Sequence, residues 1–251
     1  MSGHSKWSQI KRQKGVADAK RGQVFTKLGN AITISVRQGG GITDPDSNFR
    51  LRLMMEKARE ANMPKENIQR AIDRAIGKGQ TVQLEEVIFE GFGPEGIGVL
   101  VEAVTDNRLR TLGAVKNIFD RGGGTLGSSG SVSYLFNHLG VIFLPKEQKN
   151  NLSSDDLLMM TIEEGAQEVE ETDDGYEVYT KANELHKMKE RLVEKGLEVG
   201  SAELTMKPIT SIKIDNQEMS KRVIEFLEKL EDLDDVQKVY SNADFVIHEK
   251  I

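Results

Sequence analysis

Apolar residues recur at helical spacing along the first third of the chain and at mixed strand and helix spacing along the rest. Val24, Leu28, Ala31 and Ile32 predict a helix from about residue 16 to 37, which Gly39-Gly40-Gly41 ends. Asp44-Pro45 is a start signal, because Asp caps and a proline at the first helical position gives up no N–H that the helix needs. Leu51, Met54, Met55 and Ala58 carry this second helix to about Ala61. Asn62-Met63-Pro64 repeats the signal, and Ile68, Ala71, Ile72, Ala75 and Ile76 follow the i, i+3, i+4, i+7, i+8 pattern before Gly77-Lys78-Gly79. Residues 16–78 read as a small three-helix unit.

From residue 84 the period changes. Val87-Ile88-Phe89 and Ile97–Val101 read as strands joined by Gly91-Phe92-Gly93-Pro94-Glu95-Gly96. That joint matches G-x-G-x-x-G, but a β-branched strand follows it where a dinucleotide site needs a helix, so a hairpin turn is the better reading. Thr105-Asp106-Asn107 caps a helix bearing Leu112, Val115, Ile118 and Phe119. Gly122-Gly123-Gly124 and Gly127–Ser131 lack the Lys-Ser/Thr ending of a phosphate loop and read as a flexible linker at a domain boundary.

Residues 132–205 alternate as strand (133–144), helix (155–164), strand (167–171), strand (176–180), helix (182–195) and strand (198–205), with Asp173-Asp174-Gly175 as a hairpin turn and Pro208 at the next junction. That order, βαββαβ, is the ferredoxin-like arrangement. The tail supplies a strand (211–214), a helix with Met219, Val223, Phe226, Leu230 and Leu233, and strand-like residues at 236–240 and 245–247. Alone it is too small to bury a sheet. The expected architecture is α+β and multidomain. A basic arm and three-helix domain spans 1–80, a discontinuous α+β domain spans 81–131 plus 206–251, and 132–205 is inserted into it.

Charge adds what the hydrophobic pattern cannot. The whole-chain net of −6 hides 16 Lys+Arg against 7 Asp+Glu in residues 1–80, and 18 against 33 in the remainder. The excess is concentrated at the start. Lys6, Lys11, Arg12, Lys14, Lys20, Arg21 and Lys27 stand against Asp18, with Trp7 and Phe25 interleaved. A polyanion is the natural partner of such a segment, and a body of opposite sign confines it to one end of the molecule. Phosphate contacts carry no sequence information, and neither a helix-turn-helix spacing nor RNP aromatics are present to add it. Arg50, Arg52, Arg59, Arg70 and Arg74 lie on the helices and read equally as solvated faces or as further phosphate contacts.

No catalytic constellation emerges. His4, His138, His186 and His248 are scattered, there is no cysteine, and the carboxylates run beside turns and helix ends, so neither a metal nor an organic cofactor is expected. The start is polar and basic, unlike a secretory signal, and no apolar run reaches ~18 residues, the length that a membrane span needs.

Several blocks closely resemble the YebC/PmpR family: Gly3-His4-Ser5-Lys6-Trp7, Ile10-Lys11, Asp18 with Lys20-Arg21, Phe25-Thr26-Lys27, Leu51-Arg52 with Ala61–Ile68 and Arg70-Ala71-Ile72, Thr105–Arg108 with Arg110-Thr111, and Gly130-Ser131-Val132. Phe49 stands where that family usually has proline, and Met54-Met55 replaces a smaller pair. The resemblance implies a helical domain followed by two α+β domains in a cytoplasmic, non-enzymatic regulator of gene expression. It implies a DNA-binding transcriptional regulator. The alternative is a translation factor associated with ribosomal RNA or the ribosome, as in mitochondrial and other bacterial relatives. The nucleic-acid-binding residues expected on this chain are Lys6, Trp7, Lys11, Arg12, Lys14, Lys20, Arg21 and Lys27. No small-molecule substrate and no membrane partner is expected.

Overall fold

A computed structural model of the chain describes residues 21–78, 83–148 and 153–245. It is mixed α and β, and the described chain divides into two compact units. One is formed by residues 21–134 and Ile214–Ser241, the other by Leu135–Lys213 and Asn242–Phe245.

In the first unit the helices are α1 (Arg21–Gln38), α2 (Phe49–Glu60) and α3 (Lys65–Ala75). Ile32, Val36, Leu51, Ala58, Met63, Ile68, Ala71 and Ile72 form their common core. The predicted start of α2 at Asp44-Pro45 is corrected by four residues. Asp44 caps only a turn, accepting from the Asp46 N–H and the Ser47 hydroxyl, and Asn48 is the helix cap. Asn48 accepts from the Leu51 N–H and donates to the carbonyls of Ser35 and Ile42, so one buried amide both starts α2 and ties it to the end of α1. Gly39 makes room for it: a Cβ there would lie 2.3 Å from the Asn48 amide nitrogen. Asn62 likewise ends α2 rather than opening α3. It takes φ 57°, while the Met63 N–H bonds back to the Ala58 carbonyl and the Asn62 N–H to that of Arg59.

The sheet of this unit has the order β3-β1-β2-β9, with β1 (Glu85–Phe92), β2 (Gly98–Thr105), β3 (Thr125–Leu126) and β9 (Val236–Ser241). β1 and β2 pair antiparallel from Glu85↔Thr105 to Phe92↔Gly98, and Glu95 in the connecting turn has φ 59°. β2 is central and buried on both faces, with Val99, Val101 and Ala103 on one and Leu100 and Val104 on the other. Val104 packs with Ile34 of α1 and with Leu84. The opposite face meets α4 (Arg108–Gly122): Gly91, across from Val99, has no room for a side chain because of the Phe119 ring. α7 (Gln217–Glu231) packs beside α4, Phe226 meeting Phe119 edge-on at 5.1 Å between centroids. The antiparallel β2–β9 pairing joins the two separate stretches of sequence that make up this unit in one sheet.

The second unit follows the order β4 (Phe136–Pro145), α5 (Ser154–Glu163), β5 (Glu168–Glu171), β6 (Gly175–Lys181), α6 (Leu185–Glu194), β7 (Ser201–Pro208). Its sheet order is β5-β6-β4-β7 and every pair is antiparallel, which is the ferredoxin-like topology. The last strand starts and ends three residues later than its apolar pattern suggested, so Pro208 is still paired, opposite Phe136. β8 (Ile212–Ile214) does not join the larger sheets; it forms a two-stranded ribbon with β10 (Ala243–Phe245).

Candidate nucleic-acid interface

Of the residues that the sequence marks for phosphate binding, Lys6, Trp7, Lys11, Arg12, Lys14 and Lys20 lie outside the described residues. Arg21 is the exposed first residue of α1. Lys27 is half-buried, and its ammonium donates to the carbonyl of Glu231 at the C-terminus of α7, where the helix dipole favours a cation. Gln23, one turn earlier, donates to the Asp232 carbonyl at 2.5 Å and to the Asp234 carboxylate at 2.9 Å. The root of the arm is thus stapled to the acidic end of α7.

The helical arginines separate into two classes. Arg74 reaches from α3 to α1, donating to the Gly29 carbonyl (3.1 Å), the Asn30 side chain (3.0 Å) and the Thr33 hydroxyl (2.9 Å). Burial, together with the charge of Arg37, lowers its pKa. Arg52 donates to the carbonyls of Pro45 and Asp46 and holds the turn before α2. Arg50 donates to Gln38, and Arg37 to the Leu84 carbonyl. These four serve the fold. Arg59 and Arg70 are exposed, and the bonds recorded for the Arg70 side chain are to Glu66 and Asn67 of its own helix.

Two polar centres of the same unit escaped the sequence reading. The first corrects the flexible linker expected at Gly127–Ser131. Glu90, 5% exposed on β1, accepts from the Gly130 N–H at 2.8 Å and from the Val132 and Ser133 N–H groups at 2.9 Å, while the Gly127 N–H bonds to its carbonyl. Burial pushes this carboxyl up, but the three backbone donors and the Ser133 hydroxyl outweigh it and hold the pKa below the ordinary value. The glycines and serines serve a close wrap around an anion. The available signal was the lone carboxylate in the apolar run Val87–Phe92. The second centre is Asp235, which accepts from the Thr111 hydroxyl (2.6 Å), the Thr105 hydroxyl (3.2 Å) and the Arg110 guanidinium (2.8 Å). Burial raises its pKa and these donors lower it further. It joins the start of α4, capped as predicted by Asn107, to the turn before β9.

Among the described residues no group of three His, Asp or Glu side chains is placed to hold a metal ion. No described helix is long and apolar enough to cross a membrane.

Residues 5–78 match the family model described as the TACO1/YebC protein N-terminal domain, and residues 84–243 match the one described as the TACO1/YebC second and third domain. A protein of Persephonella marina named probable transcriptional regulatory protein is 49% identical over 96% of this chain and 95% of its own length. Proteins of the same name from Chloroflexus aurantiacus and Geobacillus thermodenitrificans are 48% and 46% identical, each over 97% of this chain and 96% and 97% of their own lengths. The crystal structure of a conserved hypothetical protein from Aquifex aeolicus superposes with a TM-score of 0.82 at 42% identity, covering 92% of this chain and 93% of that one.

Proposed function

Because the chain belongs to the YebC family, we propose that it is a non-enzymatic regulator of gene expression that binds DNA and acts in the cytoplasm on transcription. The observation that carries this reading is the name of regulator borne by relatives that match it over nearly their whole length. The charge distribution supplies the chemistry, since a net-basic first third precedes a net-acidic remainder. In this reading Lys6, Lys11, Arg12, Lys14, Lys20 and Arg21 follow a phosphate backbone, Trp7 contributes stacking or packing, and Lys27 anchors the root of the arm. Arg59 and Arg70 are the further cations placed to extend the track, whereas Arg74 is an internal clamp.

The test is affinity against salt, run on duplex DNA and on ribosomal RNA, for the parent chain and for a variant with Lys11, Arg12, Lys20 and Arg21 changed to Ala. Each phosphate contact contributes a log–log slope of roughly −0.9 on duplex DNA. The variant should bind all sequences more weakly and flatten the slope by about three to four. An unchanged slope refutes the arm as the phosphate reader. Crosslinking in growing cells, followed by sequencing of the bound DNA and RNA, decides the target. Discrete promoter peaks sustain the transcriptional reading, and enrichment of ribosomal RNA replaces it with the translational one.

A further inference from the structure

The outer surface of the first unit carries a groove that the regulatory reading leaves unused. It lies between α4 and α7 and encloses about 380 Å³, at the small end of the range for ligand pockets. The two helices meet where Gly122 has no side chain: a Cβ there would lie 2.4 Å from the Phe226 ring. Beside this contact Ile118, Gly122 and Phe226 form the apolar part of the lining.

The rim carries a small cationic excess, three cations against Glu225 and Asp232, although the surrounding sequence is acidic. Arg121 stands on α4, with Arg222 and Lys229 on α7. Arg222 is partly engaged, donating to the Gly122 carbonyl at 3.3 Å and lying 3.8 Å from Glu95. Arg121 and Lys229 are exposed and form no ion pair among the described residues. Of the acids nearby, Asp120 pairs with Lys116 at 2.6 Å, while Glu225 belongs to the lining itself and lies 4.0 Å from Lys221. The dipole of each helix favours a cation in its last turn, which accounts for both positions along the sequence. It does not account for two cations facing one groove from opposite walls with an apolar floor between them. Over such a floor an anion is attracted more strongly than in bulk water. Asp232 and Glu225 also line the groove, and acidic residues there favour hydroxyl or amino donors and disfavour a second phosphate.

We propose that this groove is a binding site for a single nucleotide unit. Its phosphate would lie between Arg121 and Lys229, its apolar part over Ile118 and Phe226, and its hydroxyl or amino donors toward Asp232. The unit is either a free mononucleotide or one residue of a single strand. The proposal does not depend on the basic arm.

The test is a titration of the full chain, labelled with 15N, with AMP, with adenosine, with a six-nucleotide single strand and with an acidic peptide. The amides of residues 117–122 and 222–232 are followed by NMR. AMP or the strand should shift these amides to saturation. Adenosine, without the phosphate, should bind at least about tenfold more weakly than AMP, having lost the charge-assisted bonds. The double change Arg121→Gln with Lys229→Gln should weaken binding at the groove by at least about tenfold, and Arg121→Lys with Lys229→Arg should keep it within about threefold. Both pairs are at exposed positions, so an unchanged melting temperature checks the fold. Saturation by AMP identifies a free nucleotide, and saturation by the strand alone identifies a nucleic acid; either sustains the site. Absence of groove shifts with both, adenosine binding as tightly as AMP, an acidic peptide binding as tightly as either, or a glutamine pair that binds like the parent overturns it.

Discussion

Replacing Glu90 by Gln tests whether the Gly127–Ser133 segment is a built element. The carboxylate serves three N–H donors, one on Oε1 and two on Oε2. A glutamine keeps one carbonyl oxygen, enough for Val132 and Ser133, but turns an NH2 toward the Gly130 N–H. One charge-assisted bond is lost and two become neutral. A bond to a charged group contributes about 1.5–3 kcal/mol and a neutral one about 1 kcal/mol. Gly130 and Ser133 face solvent, so we take the lower part of the resulting range, about 2–4 kcal/mol. In native-state hydrogen exchange this is a roughly 30- to 700-fold faster opening of the Val132 amide, with α5 and α6 of the second unit unaffected. The effect has a defined pH dependence. The folded-state pKa of Glu90 is depressed, so its stabilisation is complete above the ordinary glutamate range and is lost as pH falls through the lower folded value. The gap between parent and variant in urea unfolding should therefore be flat from neutral pH down to that range and close below it. A gap under about 0.5 kcal/mol at pH 7, within the scatter of ordinary surface changes, would refute the reasoning, as would a gap that stays constant into strong acid.

Arg74→Met should destabilise the three-helix segment by about 1–3 kcal/mol, since it leaves Gly29, Asn30 and Thr33 short of a donor. It should leave the salt slope of nucleic-acid binding unchanged, which titration at several salt concentrations checks. Gly122→Ala should cost about 1–3 kcal/mol by driving a methyl group into the buried Phe226 ring, read as a lowered urea midpoint. The proposal that an independent domain is inserted in the chain predicts that a fragment of residues 134–213 folds alone, with a cooperative melt by circular dichroism; a non-cooperative melt would count against it.

The elements were legible where periodicity is local. The ferredoxin-like alternation and the helix of residues 217–231 stand close to where apolar spacing put them. What failed depended on distant partners. Asp44-Pro45 is a good local start signal, but Asn48 won because Ser35 and Ile42 offered it two more hydrogen bonds. Glycine and serine between Gly127 and Ser131 have the composition of a linker, and only Glu90, some forty residues earlier, gives them a shape. The candidate interface was legible as a charge run. The roles of its helical arginines were not, since composition cannot distinguish an arginine clamping two helices from one facing water.

The place of β9 beside β2 has a consequence for synthesis. β2 leaves the translating ribosome with Val99, Val101 and Ala103 on one face and Leu100 and Val104 on the other, and its second edge stays open until Ser241 has been made. At about 5–20 residues per second that interval is roughly 7–27 s. The four strands of the second unit are complete well before it ends, because they pair only with one another as far as Pro208. The nascent chain therefore finishes its middle first, while an apolar strand edge, the kind that recruits other chains, waits for the last strand to cover it.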